Sequence, residues 1–413
     1  MTADRDPADE PFFHEWNAYR SKSKRSLARA RLFAEGLGLN FDSLPPAMVV
    51  VGSKGKGTAV TYATVALYSA DFRVGTISSP GFRSNRERIR LNGIALSHSA
   101  YDELSALVGQ VVEGLPEVSD GYLAPSGLYT MAGIWYLKNH GANVLVVEEG
   151  LGGISDELSL IPADVVVVTQ IFEEHLGIIG SNVEEIAHDL VGVVRPQTRQ
   201  VWTLPQITSV GHVIGTIVGS REHSARLHKP SSDAWRDAAT ARVPGLSRSN
   251  ADLGLAAGAA MAELLAHSVD YDLAESIAAG TSLPGRLSVH TLTRGTQQAT
   301  WIVDAAITPH GVRAALKWVL DNFGEPSVIL AAFPDIKNTA ACFAELKDHS
   351  VIAVTAGEHY LTYTQSSAPG PLVPSDQALA RASDSGSSVL CLGTMSFIAE
   401  VMEYLDVQTE SYW

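Results

Sequence analysis

Residues 49–58 constrain the fold more than any other part of the chain, because they read Val-Val-Val-Gly-Ser-Lys-Gly-Lys-Gly-Thr. A run of β-branched residues typical of a buried strand leads into a glycine-rich loop, and residues 59–70 then have the composition of a helix. A strand, a glycine loop and a helix in this order form a phosphate-binding loop, whose backbone N–H groups surround the phosphates. Lys56 is expected to reach the terminal phosphates, and the Thr58 hydroxyl to ligate Mg²⁺. The segment therefore predicts an ATP site, with an ordinary glycine-rich turn as the alternative.

Length and charge narrow the class of protein. A chain of 413 residues exceeds one ordinary hydrophobic core, so two domains are expected. The net charge of −15 argues against non-specific binding to nucleic acid or to an acidic membrane. No apolar run approaches the ~18 residues of a membrane-spanning helix, and the acidic N-terminus does not resemble a signal peptide. We therefore expect a cytoplasmic globular protein, either a monomer or a homodimer.

Predicted strands and helices alternate along the chain, which indicates parallel sheets with right-handed crossovers. Buried strands are predicted at residues 143–147 and 164–171, and helices at residues 15–37, 97–115, 126–138, 182–194 and 249–266. The pattern breaks near residues 284–297 and then restarts. The sequence therefore predicts an α/β fold, with a P-loop parallel-sheet ATP-binding domain at residues 1–290 and a smaller Rossmann-like α/β domain at residues 291–413.

Basic side chains cluster in the first predicted helix. They are Lys22, Lys24, Arg25, Arg29 and Arg31. A charge run of this kind usually forms a solvated helix face, which is the interpretation we favour. Contact with an anionic substrate is the alternative.

Polar side chains follow both predicted buried strands. Glu148 and Glu149 end the first strand, and His175 lies shortly after the second. Ligands of open α/β sheets bind at the carboxyl ends of the strands, where the glycine loop also lies. Either carboxylate could there hold the Mg²⁺ that Thr58 contacts, and His175 is a candidate metal ligand. An ordinary turn carboxylate and a hydrogen-bonded loop histidine are the alternatives.

Several motifs, taken in order, resemble those of the Mur ligase superfamily and, within it, of the folylpolyglutamate and dihydrofolate synthases. The loop at residues 52–58 is similar to the family's Gly-Thr-Asn-Gly-Lys-Gly-Ser. Residues 87–93, Glu-Arg-Ile-Arg-Leu-Asn-Gly, are similar to its Glu-Arg-Ile-Arg-Ile-Asn-Gly, and residues 148–153 to its Glu-x-Gly-Leu-Gly-Gly. Further similarity lies at residues 78–80, 184–187, 284–287 and 393–394. The resemblance covers nearly the whole chain.

This resemblance implies an ADP-forming ligase that uses ATP and Mg²⁺. Such enzymes phosphorylate a substrate carboxylate, and an amine then attacks the acyl phosphate to form an amide bond. By position, the phosphate-binding residues would be Gly52, Ser53, Lys54, Gly55, Lys56, Gly57 and Thr58. The expected partners are a small carboxylic acid and an amine, which could be an amino acid.

The resemblance also implies roles for individual side chains. Thr58, Ser79 and Glu148 would hold one Mg²⁺, and His175 would help to hold a second. Asn250, Arg286 and Asp304 would contact the nucleotide, with Arg286 at the γ-phosphate. The expected catalytic residues are Lys56, Glu148, His175 and Arg286.

The chain departs from the family pattern mainly on the acceptor side. Leu190 replaces a carbamylated lysine that supports the second metal, and Ile154 replaces an arginine. Ile307 and Thr308 replace the His and Asn of the family's Asp-Gly-Ala-His-Asn-Pro motif. Because the ATP-binding residues are better retained, we expect an amide ligase with a changed, non-folate substrate. The alternatives are a genuine folylpolyglutamate or dihydrofolate synthase that adds L-glutamate, and a catalytically inactive nucleotide-binding subunit.

Overall fold

The computed structural model describes residues 6–118, 121–220, 225–356, 361–385 and 387–413. The chain divides into two compact units. The first unit comprises the described residues of Met1–Arg242, Ser249–Thr281 and Glu410–Trp413, and the second those of Val243–Arg248 and Ser282–Thr409. The chain thus returns to the first unit for its last four residues. A domain division after residue 290 stays a prediction.

Strands and helices alternate in both units. The strands are β1 (Ala47–Val51), β2 (Val74–Ile77), β3 (Ile89–Leu91), β4 (Ile94–Ala95), β5 (Val144–Glu148), β6 (Val165–Val168), β7 (Gln200–Thr203), β8 (Arg226–His228), β9 (Arg286–Arg294), β10 (Gln297–Asp304), β11 (Val328–Ala332), β12 (Val351–Thr355), β13 (Val373–Pro374) and β14 (Ser388–Gly393). The α-helices are α1 (Glu10–Tyr19), α2 (Leu27–Gly36), α3 (Lys56–Tyr68), α4 (His98–Glu113), α5 (Pro125–Asn139), α6 (Val183–Val191), α7 (Thr208–Val218), α8 (Ala234–Ala239), α9 (Ser247–Leu264), α10 (Tyr271–Gly280), α11 (Pro309–Phe323), α12 (Thr339–Ala344), α13 (Ser375–Ser385) and α14 (Met395–Tyr404). No helix in these described ranges is long and apolar enough to cross a membrane.

The sheet of the first unit has the strand order β4-β3-β2-β5-β1-β6-β7-β8 over its described residues. The strands from β2 to β8 in this order run parallel, and only β3 and β4 add antiparallel pairs at one edge. The central strand β1 is buried along its whole length, which explains its continuous run of apolar residues. Val49 and Val51 face the core beneath α5, whereas Met48 and Val50 face the core formed with α3 and α9.

The sheet of the second unit has the order β13-β12-β11-β14-β10-β9 in the described part of the chain. Its strands are parallel except for β9, which pairs antiparallel with β10. The strand β9 lies where the sequence pattern breaks, and no strand was predicted there because polar and apolar residues alternate only over its first few positions. The predicted fold class, a P-loop α/β unit followed by a smaller Rossmann-like α/β unit, is confirmed.

The helix predicted over residues 15–37 is wrong, because two helices, α1 and α2, occupy this part of the chain. The break is non-local in origin. Arg25 forms a β-bridge with Tyr122, and the Ser26 amide donates to the Tyr122 carbonyl. The Ser26 side chain then caps α2 by accepting the amide of Arg29.

The predicted solvated basic face is correct for only part of the cluster. Lys22, Lys24 and Arg31 are exposed. Arg29 is buried, and its guanidinium donates to both carboxylate oxygens of Glu15. Arg25 is directed into the first unit, so two of the five cations are structural.

Candidate active site

Two glycines give the phosphate loop its shape. The loop leaves β1 at Gly52 and enters α3 after Gly55, and both glycines have positive φ, at 134° and 87°. A side chain at position 52 would overlap the Thr169 hydroxyl, and one at position 55 would overlap the Asn250 carboxamide. Gly55 has no side chain that could cap α3. The first amides of the helix can therefore donate hydrogen bonds to a phosphate group that binds in front of the helix.

Helix α9 carries Asn250 and packs closely against α3. Asn250 lies against Gly55 at the start of the phosphate-loop helix. One turn later, Gly254 packs so closely on α3 that a Cβ there would lie 3.0 Å from the Ala59 Cα, and Gly258 packs similarly on Ala63. The structure therefore places Asn250 beside the loop, and its role in binding the nucleotide stays a prediction.

Lys56 lies at the start of α3 with its side chain folded back over the loop. Its Nζ donates to the Gly52 carbonyl at 2.6 Å and lies 3.6 Å from Oε2 of Glu149. Burial alone lowers the pKa of Lys56, but the carboxylates of Glu149, Glu148 and Glu174 outweigh it and raise that pKa above its ordinary value. The ammonium group is therefore charged throughout the physiological pH range and is available to neutralise phosphate oxygens.

Glu149, to which the family resemblance assigned no role, connects the two glycine-rich segments of the site. Its Oε2 accepts the Gly52 amide at 3.1 Å, and its Oε1 accepts the Gly152 amide at 3.0 Å. Burial raises the pKa of Glu149 to about 7, although the Lys56 charge opposes the rise. Two consecutive carboxylates at the end of a buried strand were the only signal in the sequence.

The predicted ligands of the first Mg²⁺ lie near one another. Oε2 of Glu148 accepts the Ser79 amide at 3.0 Å, and a Cβ on Gly57 would lie 3.5 Å from the same oxygen. The Ser79 hydroxyl accepts a hydrogen bond from Arg88 at 3.1 Å. The next residue after Gly57 is Thr58, whose buried Oγ1 has no hydrogen-bond partner among the residues that the structure describes.

A buried hydroxyl without a hydrogen-bond partner lowers the stability of a protein unless a ligand binds to it. Hydroxyl and carboxylate oxygens are the ligands that Mg²⁺ takes in nucleotide sites, usually with one or two carboxylates and the substrate phosphates. No group of three or more His, Cys, Asp or Glu side chains suited to a metal ion occurs in the described ranges. The residues Thr58, Ser79 and Glu148 therefore fit a Mg²⁺ that shares its coordination with a nucleotide, and their role as ligands stays a prediction.

His175 and Leu190 bear on the predicted second metal. His175 is exposed in the loop after β6, with a left-handed backbone (φ 52°), and its carbonyl accepts the amides of Ile178 and Ile179. Leu190 is buried in the core, and its neighbour Asp189 accepts the Gly153 amide at 2.6 Å. The role of His175 as a ligand of the second metal stays a prediction.

Arg286 and Asp304 lie together in the second unit, at paired positions of β9 and β10. The Arg286 guanidinium donates to the Gly285 carbonyl, and Oδ2 of Asp304 accepts the Leu287 amide at 2.9 Å. Burial raises the pKa of Asp304 to about 6, with the Arg286 charge and two backbone amides opposing. Thr308 caps α11 by accepting the Gly311 amide. The predicted contacts of Arg286 and Asp304 with a nucleotide stay predictions.

Arg25 contributes a charge cluster that the sequence did not reveal. It donates to the Leu151 carbonyl at 2.9 Å, to Oδ2 of Asp156 at 2.7 Å and to Oε2 of Glu157 at 2.9 Å. Burial and the Asp156 charge raise the pKa of Glu157 to about 7, and Arg25 opposes that rise. The cluster fixes the turn that follows β5, because Asp156 also accepts the Leu151 amide. Arg25 is engaged inside the unit and is not part of a solvated face.

No family model matches the chain. The chain is 26% identical over 404 residues to the dihydrofolate synthase/folylpolyglutamate synthase of Escherichia coli, a match that covers 92% of each protein. The chain is homologous to the folylpolyglutamate and dihydrofolate synthases.

Solved structures of these synthases have the same fold. The E. coli FolC structure in complex with DHPP and ADP matches with a TM-score of 0.77 at 23% identity, covering 97% of this chain and 98% of that one. A bifunctional folylpolyglutamate synthase/dihydrofolate synthase with Mn, AMPPNP and L-glutamate bound matches with a TM-score of 0.75 at 22% identity, covering 98% and 100%.

The predicted resemblance is thus confirmed over nearly the full chain. The predicted change to a non-folate substrate gains no support, because the homologue is named for folate chemistry. The alternative of a genuine folylpolyglutamate or dihydrofolate synthase fits these comparisons better.

Proposed function

We propose that this protein is an ATP-dependent ligase that joins L-glutamate to the carboxylate of a folate-type substrate, with release of ADP and phosphate. The observation that carries the proposal is the phosphate loop with Lys56, next to the Ser79–Glu148 contact, in a chain homologous to these synthases from end to end. Homology alone gives the family of reactions, and the site supplies the parts that such a reaction needs.

The first half-reaction is transfer of the γ-phosphoryl group to the substrate carboxylate. Such transfer depends on positioning and on neutralising negative charge more than on covalent help from the protein. The amides at the start of α3 bind the phosphates, and Lys56 exchanges its bond to the Gly52 carbonyl for one to a phosphate oxygen. A Mg²⁺ held by Thr58, Ser79 and Glu148 would supply further charge neutralisation at the phosphates.

Arg286 is the residue that the resemblance assigns to the γ-phosphate. Its guanidinium is always charged and has several N–H donors in a fixed plane, a geometry that suits phosphate oxygens. Asp304 lies close enough for the Arg286 charge to oppose the rise in its pKa.

A second candidate function is amide bond formation with another acid or amine. It is favoured by one set of observations: Leu190 is an apolar core residue and Thr308 is committed to capping α11. A leucine cannot carry the charge of the carbamylated lysine that the resemblance assigns to position 190, and a threonine lacks the carboxamide of the asparagine that it assigns to position 308. If these positions bind the acceptor, the amine differs from glutamate while the ATP half of the reaction is unchanged.

Release of ADP across a matrix of substrates tests the proposal. The purified protein is incubated with ATP and Mg²⁺, with tetrahydrofolate or 7,8-dihydropteroate, and with or without L-glutamate. We expect ADP release only when the folate-type acid and glutamate are both present, and none from a Lys56→Ala variant. Release with a different acid or amine would favour the second candidate. Nucleotide binding without release under any condition would contradict both and indicate an inactive nucleotide-binding subunit.

A further inference from the structure

Glu148 and Glu149, the consecutive carboxylates at the end of β5, serve different loops. Glu148 contacts the Ser79 amide, on the side where Mg²⁺ would bind. The Glu149 side chain points instead to the phosphate loop, and it is 4% exposed. Its backbone amide donates to the Val50 carbonyl, so the residue is fixed to the central strand β1 as well. Glu149 therefore lies where β1, β5 and the two glycine-rich loops meet.

Each oxygen of Glu149 has its own backbone donor. Oε2 accepts the amide of Gly52 at 3.1 Å, and Oε1 accepts the amide of Gly152 at 3.0 Å. A carboxylate is the side chain suited to this task, because both of its oxygens are acceptors. A glutamine of the same size has one acceptor oxygen and an NH₂ group, which cannot accept the second amide. The pattern thus requires a carboxylate and not merely a polar residue.

The first peptide of the phosphate loop is held from both sides. The Gly52 amide donates to Glu149, and the Gly52 carbonyl accepts from Lys56 Nζ at 2.6 Å. Lys56 Nζ also lies 3.6 Å from Oε2 of Glu149. Gly52, Glu149 and Lys56 therefore form a closed triangle of contacts at the start of the loop. The triangle sets the orientation of the loop and of Lys56 in the protein without nucleotide.

We propose that Glu149 is a positioning residue for nucleotide binding, which orients the first loop peptide and Lys56 before ATP arrives. The proposal rests on the ATP site of the proposed function. When ATP binds, the Lys56 ammonium group gives up its hydrogen bond to the Gly52 carbonyl and donates to a phosphate oxygen. Glu149 continues to accept the hydrogen bond from the Gly52 amide. Because the loop is already in shape, ATP binds without the cost of ordering it. Loss of Glu149 thus weakens ATP binding and leaves the binding of the acid and the amine unchanged.

Three variants test this role: Glu149→Gln, which removes the charge and one acceptor, Glu149→Asp, which keeps the charge on a shorter side chain, and Glu173→Gln. Glu173 is exposed in the loop after β6, so its variant is a charge-matched control. Affinity for a non-hydrolysable ATP analogue is measured by calorimetry, KM is measured separately for ATP and for the other substrates, and thermal unfolding shows whether each variant is folded.

We expect Glu149→Gln to raise both the Kd of the analogue and the KM for ATP by about tenfold or more, the scale of one hydrogen bond to a charged group. The KM values of the acid and the amine stay within about twofold, a split that general loss of structure would not produce. Glu149→Asp recovers part of the affinity, and Glu173→Gln behaves as the unaltered protein. Faster hydrogen exchange of the Gly52 amide in Glu149→Gln, measured without nucleotide, gives a second readout.

Unchanged analogue affinity in a folded Glu149→Gln variant would overturn the proposal. Tighter binding would overturn it as well, because Glu149 would then restrain Lys56 from reaching the phosphates. If Glu149→Gln does not fold, Glu149→Asp decides the question by the same measurements. Absence of analogue binding to the unaltered protein would instead refute the proposed ATP site itself, so the two failures are distinguishable.

Discussion

Helix α9 packs closely on α3 at Gly254, so the position of the phosphate loop depends on this glycine. A Cβ at position 254 would lie 3.0 Å from the Ala59 Cα and closer still to the Ala59 carbonyl oxygen. Both neighbours are backbone atoms in the helix that begins at Lys56. A Gly254→Ala substitution therefore has to separate the two helices, because no flexible side chain can move aside.

The size of the effect follows from this geometry. Carbon atoms in contact lie about 3.5–4.0 Å apart, and the new Cβ would lie even closer to the Ala59 carbonyl oxygen than to the Ala59 Cα. Helix α3 must therefore shift by roughly 1 Å or more to admit the methyl group. Overpacking of this kind costs about 1–3 kcal/mol, and the higher helix propensity of alanine offsets about 1 kcal/mol. A displacement of about 1 Å at reacting groups lowers activity by as much as about a hundredfold. We thus expect a small loss of stability and a large loss of activity.

The assay compares Gly254→Ala with Gly215→Ala. Gly215 is an exposed glycine of α7, and a Cβ there would meet nothing within 4 Å. Gly215→Ala is expected to keep full activity and to gain up to about 1 kcal/mol of stability. ADP release, affinity for a non-hydrolysable ATP analogue and denaturant unfolding are measured for both. If Gly254→Ala binds the analogue and releases ADP like the unaltered protein, α9 does not set the position of the phosphate loop.

Three further predictions follow from the site. Glu148→Gln is expected to raise the Mg²⁺ concentration for half-maximal ADP release by about tenfold, and an unchanged Mg²⁺ response would refute the assignment of Glu148. Arg25→Ala leaves two buried carboxylates without their counter-charge and is expected to lower the free energy of unfolding by about 3–5 kcal/mol, measured by denaturant unfolding. Lys22→Ala, a control at an exposed position, is expected to change that free energy by less than about 0.5 kcal/mol. The pKa of Asp304 is raised from 3.8 to about 6, so its contribution to stability is fully present below pH 3.8 and is lost as the pH rises through about 6. Asp304→Asn is therefore expected to flatten the fall in unfolding free energy over this window, by about 2–3 kcal/mol; an equal slope in both proteins would refute the raised pKa.

Local chemistry explains the parts of the fold that the sequence predicted. Val49 to Val51 are apolar and β-branched because β1 is buried on both faces, and the glycines that follow have backbone angles that other residues rarely adopt. Each of these signals is confined to a few neighbouring residues. The phosphate loop and the α/β class were therefore predictable from the chain alone.

Non-local contacts explain the rest. The helix predicted over residues 15–37 is broken because Arg25 pairs with Tyr122, almost a hundred residues along the chain, and no local residue announces that pairing. The strand β9 depends on its pairing with β10, and its own residues alternate too weakly to identify it. The role of Glu149 depends on Gly52 and Gly152, which meet only when β1 and β5 are adjacent.

Transfer of ¹⁸O from the substrate carboxylate to phosphate tests the central claim most directly. The acid is 7,8-dihydropteroate or tetrahydrofolate labelled with ¹⁸O in its carboxylate, supplied with ATP, Mg²⁺ and L-glutamate, and the released phosphate is examined by mass spectrometry. An acyl phosphate intermediate requires one labelled oxygen in each phosphate, together with one glutamyl residue added to the acid. Unlabelled phosphate would show that water is the acceptor and would contradict the ligase.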